Sequence, residues 1–342
     1  MALGFLIGNT VSTLACSRYP GLFLKPLFGA FFSIAGIAML ALLPPPYPVA
    51  WQLASALCLG VSAGSLLVIA FHHIGAFHRF NSPAVFQLTG LVALTGALAA
   101  PLAAAWLAIP TGSLSLLALI ALPAAVAVGS LGKARPGTLP VAPPLAFAKA
   151  IEDFRNPATI LLALLLFFQM GNEIALLGWL PVFLIQRVGM SPTVAVYGMA
   201  AFVLVLLAGR TASQAMRERA RRNRVLLGGL SLSVLGCLML LSTNNAFGAF
   251  LGLSLAGIGF SPVFPMVLAL MTKRFPYYHA GVMNAIFATG LLGGLLAPFS
   301  VGVIAGQLGI GIAMALPIAG SLLVAVLVLL LWMESRLTGS TP

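Results

Sequence analysis

ATILLALLLFFQMGNEIALLGWLPVFLIQ, residues 158–186, carries a single ionisable side chain, Glu173, near its middle. An α-helix needs about 20 predominantly apolar residues to cross roughly 30 Å of hydrocarbon. This stretch is long enough, and it lacks the strand-like alternation of a membrane β-barrel. It therefore reads as a membrane-spanning helix with one carboxylate inside the bilayer.

Working outward, ten further apolar stretches give spans at roughly 1–16, 26–43, 49–71, 83–106, 111–130, 193–212, 225–242, 246–270, 280–305 and 310–333. Five of the eleven precede a polar, proline-rich linker at 131–157 and six follow it. The chain is 61% hydrophobic and only 6% charged, whereas a soluble domain carries about 25% charged residues. Lipid must be the solvent for most of its surface, and lipid admits helices or closed barrels. A multi-pass helical membrane protein follows.

The net charge of +12 does not point to nucleic acid, because the basic residues alternate along the chain. Arg18 and Lys25, Arg79, the linker residues Lys133, Arg135, Lys149 and Arg155, the group Arg210 to Arg224, Lys273 and Arg274, and Arg336 all fall in alternate gaps. Only Arg187 lies on the other side. Basic residues collect in cytoplasmic loops, so the linker and the C-terminus are expected in the cytoplasm of a cell, bacterial inner, membrane. The basic run at 217–224 reads as a topology anchor, with an anionic-lipid site as the alternative.

Two matches suggest duplicated halves. Gly8-Asn9-Thr10-Val11-Ser12 with Arg18 repeats as Gly209-Arg210-Thr211-Ala212-Ser213 with Arg219, and Gly96 to Pro101 repeats as Gly293 to Pro298. The offsets are 201 and 197 residues. The expected organisation is a five-span bundle over 1–130 with its first span cut short, a cytoplasmic linker over 131–157, a six-span bundle over 158–336, and a tail over 337–342. Matching halves should hold equal numbers of helices, so the expectation is that the first of twelve is missing and that Met1 lies inside the second.

Gly171 to Pro181 (GNEIALLGWLP) resembles the seventh helix of the fucose-permease-like sugar/proton symporters of the major facilitator superfamily. Gly257 to Pro265 (GIGFSPVFP) resembles their tenth, and Gly290 to Gly294 with Pro298 and Gly302 their eleventh. The superfamily's loop signature survives only in Leu14 and Ala15; Ser12, Cys16 and Ser17 replace its Gly, Asp and Arg. The resemblance implies an all-α integral membrane protein of major facilitator fold, with two pseudo-repeated bundles and about eleven of twelve helices. It also implies alternating access, proton coupling and a sugar-like solute. In those symporters an acidic residue of the first helix takes part in coupling, and this chain shows no such helix.

Of the five acids, Glu152, Asp153, Glu218 and Glu334 sit in or beside the gaps. Glu173 alone lies mid-span, where a charge costs about 2.5–3.5 kcal/mol on insertion scales. Desolvation disfavours the charged form, which makes it a candidate proton-binding carboxylate. Gln169 lies one turn before it, Asn172 is adjacent, and Trp179 follows about two turns later on the Asn172 side. Together they would offer a hydroxylated solute hydrogen-bonding groups and an apolar face. Asn284, Gln87 and Tyr197 are further cavity candidates. The alternative for each is a structural hydrogen bond between helices.

His72, His73 and His78 have no carboxylate or thiol beside them, so no metal is expected, and no cofactor either. Cys16, Cys58 and Cys237 are scattered and read as packing residues. No phosphate-binding glycine loop appears, and no His lies within a span, so neither a pump nor a membrane hydrolase, nor any other enzyme, is indicated. The expected partners are a small solute, protons and the bilayer, with the chain acting as a monomer. Efflux of amphipathic compounds and a non-transporting remnant are the alternatives.

Overall fold

The computed structural model describes residues 48–77, 154–215, 219–274 and 280–337, with isolated positions at 7–8, 10–11, 31–32, 34–36, 39, 95, 98 and 152. Side chains at 67–77, 214–224, 272–281, 284, 335 and 337 lie outside that description. Among the described residues the elements are α-helices, with no strand: α1 (Val49–Phe77), α2 (Pro157–Gln186), α3 (Pro192–Ala215), α4 (Arg219–Ser242), α5 (Ala246–Phe260), α6 (Val263–Arg274), α7 (Ala280–Leu308), α8 (Ile310–Ala313) and α9 (Ala315–Leu337).

Seven stretches among them are long and apolar enough to span a bilayer: Val49–Leu66, Pro157–Gln186, Pro192–Ser213, Val225–Ser242, Ala246–Met271, Ala285–Leu308 and Ile310–Glu334. Each overlaps an apolar stretch read from the sequence. The expected spans at 1–16, 26–43, 83–106 and 111–130 lie almost entirely outside the described residues. Large apolar side chains face outward, Phe247 at 79% exposure and Phe299 at 69%. In water such a surface would drive aggregation, whereas in lipid it is the expected finish.

Local chemistry sets the ends of α2. Asn156 caps its start, with Oδ1 accepting from the Ala158 N–H at 3.1 Å, and Pro157 stands where a missing N–H costs nothing. At the other end Gly189 adopts φ 77°, open to glycine, and the Met190 N–H returns to the Leu184 carbonyl at 3.0 Å. Pro181 sits inside α2 without ending it.

α2 is the element on which most of the other helices of this half converge. It packs against α3, α7 and α9, and against the α5–α6 junction. With little hydrophobic drive between helices in lipid, close contact relies on small residues. A Cβ at Gly293 of α7 would stand 2.6 Å from the Phe167 carbonyl carbon of α2. On the far side, a Cβ at Gly236 of α4 would lie 2.6 Å from the Gly252 carbonyl oxygen of α5. Of Gly302 and Gly306, one turn apart on α7, Gly302 meets Trp179 while Gly306 faces open space.

The apolar stretch read as one span at 246–270 is one candidate span, Ala246–Met271, whose helix is interrupted at Ser261-Pro262 between α5 and α6. Pro262 has no N–H to offer the Ile258 carbonyl one turn back. The Ser261 hydroxyl donates to that carbonyl instead, at 2.7 Å. The Ile258 carbonyl therefore keeps a partner despite the missing N–H.

Candidate functional site

Glu173 is 7% exposed and held on both carboxylate oxygens. Gln169, one turn earlier on α2, donates from Nε2 to Oε1 at 2.7 Å. Arg210 of α3 donates from Nη2 to Oε2 at 2.5 Å and forms an ion pair with it. Charge-assisted hydrogen bonds of this length are the strong ones.

Both partners also touch the break between α5 and α6. The same Gln169 amide donates to the Phe260 carbonyl at 3.1 Å, just before Ser261-Pro262. Just after it, the Phe264 ring lies under the Arg210 guanidinium, 4.7 Å from centroid to Cζ, within cation–π range. The sequence brings Arg210 here through its neighbour: a Cβ at Gly209 would stand 2.6 Å from the Ser261 Cβ, so only glycine lets α3 approach the break this closely. Arg210 is 6% exposed, and its Nε finds no acceptor among the described residues. A buried donor left unsatisfied costs about 1–3 kcal/mol.

The position of Arg210 corrects its reading as one more loop anchor. It lies inside the stretch Pro192–Ser213 that is apolar enough to span, buried against the acid of the neighbouring helix. Its signal was present in the sequence: a mid-span carboxylate calls for a partner, and Arg210 falls within the expected span at 193–212.

The remaining candidates do not join this group. Asn172 points to α9, where its Nδ2 donates to the Ser321 Oγ at 3.5 Å and Gly320 leaves room for its amide. Successive residues on a helix diverge by about 100°, which separates Asn172 from the Gln169–Glu173 face. Trp179 donates from Nε1 to the Pro298 carbonyl of α7 at 2.8 Å and packs on Gly302. It ties two helices together through that bond. Tyr197 lies on the exposed face of α3. The Asn284 side chain and Gln87 lie outside the described residues, as do His78 and Cys16. Among the described residues no three His, Cys, Asp or Glu side chains gather as metal ligands, and Cys58 and Cys237 are free thiols.

Chemically, this is a carboxylate and a permanent cation packed against the helix break. The carboxylate is the one buried acid among the described side chains, and the guanidinium is suited to bind an anion. Nothing in it resembles a nucleophile with its base.

The family model described as Major Facilitator Superfamily matches residues 1–291. The chain is 31% identical over 133 residues to an uncharacterized MFS-type transporter of Yersinia pestis, covering 39% of this chain and 35% of that one. It is 32% identical over 190 residues to a nitrite extrusion protein of Bacillus subtilis, covering 53% and 45%. The chain thus spans less than half the length of these curated relatives. Among solved structures, the Escherichia coli fucose:proton symporter shares the fold, with a TM-score of 0.72 at 14% identity over 96% of this chain and 89% of that one. From the family match across most of its length, and the shared fold beside it, the chain belongs to the Major Facilitator Superfamily.

Proposed function

We propose that this chain is a secondary active transporter that moves a small polar, sugar-like solute by alternating access, coupled to protons through Glu173. The observation that carries the reading is the buried carboxylate bound to both sides of a broken helix, through Gln169 to the Phe260 carbonyl and through Arg210 to Phe264. Protonating Glu173 releases its hold on Arg210 and weakens its acceptance from Gln169. The α5–α6 junction is then free to take another geometry. Broken helices at a midplane site are how many transporters couple an ion to movement. The symporter fold supports the same reading, and the alternating charge supports a linker and C-terminus on the cytoplasmic side of a cell membrane.

The test uses the full chain in vesicles with an imposed pH gradient, inside alkaline, and a panel of radiolabelled monosaccharides and sugar acids. Uptake that rises with the gradient and loses that dependence in Glu173→Gln supports the proposal. Gradient-driven uptake that persists unchanged in the variant removes Glu173 as the coupling group. Efflux of amphipathic compounds remains the second reading, but the buried ion pair at the centre of the site gives it less support than an apolar cavity would.

A further inference from the structure

We infer that the solute is a small carboxylate-bearing anion, and that Arg210 binds its carboxylate in exchange for Glu173 when Glu173 takes up a proton. The inference rests on the proposed transport role and specifies its substrate class.

The argument is one of charge balance. Among the described side chains, Glu173 is the only buried acid and Arg210 the only buried base. A guanidinium stays charged at any pH a protein meets. Once Glu173 is protonated, Arg210 is a buried cation with no counter-charge among the described side chains, and a buried charge without a partner is strongly unfavourable. No other described group can take over. On α2 the neighbour is the neutral Gln169; α5 and α7 carry no ionisable side chain; those of α6 and α9 stand at their ends; and Cys237 of α4 faces Ser321. A neutral sugar would leave Arg210 bare in the proton-loaded state. A monoanion would neutralise it.

The geometry fits such a ligand. Arg210 is more than nine-tenths buried, and its Nε–H has no acceptor. Glu173 engages Nη2 through Oε2, while its Oε1 accepts from Gln169. The guanidinium is a fork suited to two parallel bonds to a carboxylate, and here it is only partly used. The Phe264 ring beneath it fixes its plane. Glu173 thus acts as a built-in competitor that occupies the site until it is protonated. One proton enters on Glu173 and one anion on Arg210, so the loaded site carries the same net charge as the empty one.

The test is binding to the purified full chain, followed by thermal unfolding and by calorimetry. The probes are gluconate, galacturonate and lactate, each beside its neutral counterpart glucose, galactose and propane-1,2-diol. All three acids stay ionised at mildly acidic and at neutral pH, so a pH effect reports the protein. At least one acid is expected to stabilise the native chain, more at acidic than at neutral pH, while its neutral counterpart does not. Glu173→Gln mimics the protonated state; it should bind that acid equally at both pH values, and at neutral pH about 5–150-fold more tightly than the native chain, the usual range for coupled sites. The charge-balanced double variant Glu173→Gln/Arg210→Gln should fold and lose the effect. Equal stabilisation by the neutral counterpart, acid binding that survives in the double variant, or no binding by any of the three acids would overturn the inference. A neutral sugar that drives Glu173-dependent proton uptake sinks the anion while sparing the transporter. Carboxylate binding without coupled flux does the reverse.

Discussion

A carboxylate and a guanidinium that meet away from water are each unstable without the other. Glu173→Gln or Arg210→Gln alone leaves a buried group uncompensated, and such losses run to about 3–5 kcal/mol. The double substitution Glu173→Gln/Arg210→Gln removes both charges and should lose much less than the sum. Unfolding of the four proteins in one detergent gives the coupling directly, and additive losses would show that the pair contributes nothing as a pair. At this scale the sequence was half legible. Glu173 stood out as the one acid within a span, and Gln169 followed from helical spacing. Arg210 was hidden by its company, since basic residues near a helix end usually mark a cytoplasmic loop. Asn172 was assigned to the same cavity because it adjoins Glu173 in sequence, but one step along a helix turns a side chain to another neighbour, here Ser321 of α9.

Among the elements, α3 approaches the α5–α6 break at Gly209, and the next residue, Arg210, pairs with Glu173. Gly209→Leu should therefore push α3 off Ser261 and disrupt the ion pair without touching either charge. Overpacking of this kind costs about 1–3 kcal/mol, and coupled transport should fall with it. Gly306→Leu, where a side chain meets open space, is the matched control and should leave both thermal stability and uptake near native. Similar losses in both variants would mean that close approach at Gly209 is not what places Arg210. The helices themselves were legible because lipid demands length and apolarity, which composition records plainly. The parting of α5 from α6 was not, since apolarity runs unbroken from Ala246 to Met271. Only Pro262 and Pro265 hinted at a bend, and proline alone does not distinguish a kink from a break.

For the molecule as a whole, alternating charge predicts which ends of the helices share a side. Five candidate spans lie between Ser191 and Thr338, so the two positions should face opposite compartments. With the three native cysteines replaced, Ser191→Cys should react with a membrane-impermeant thiol reagent on intact cells, and Thr338→Cys only after permeabilisation. Labelling of both from outside would overturn the orientation. Family and fold were legible from short motifs in the second half, at Gly171 to Pro181 and Gly257 to Pro265, because these are the places where helices bend, cross closely and hold a charge. The solute was not legible: hydrogen-bonding residues near a carboxylate suit many ligands, and it took the position of Arg210 to give the site a sign.

The measurement that bears most directly on the account follows protons and solute together. Vesicles holding the full chain and a pH-sensitive dye receive the solute with no imposed gradient. With the native chain, solute entry should carry protons inward, and the dye should report acidification in step with uptake. With Glu173→Gln, solute exchange should continue without the acidification. Proton entry of native size in that variant would contradict the central claim, that the carboxylate joining α2 to α3 and the broken helix is the group that carries the proton.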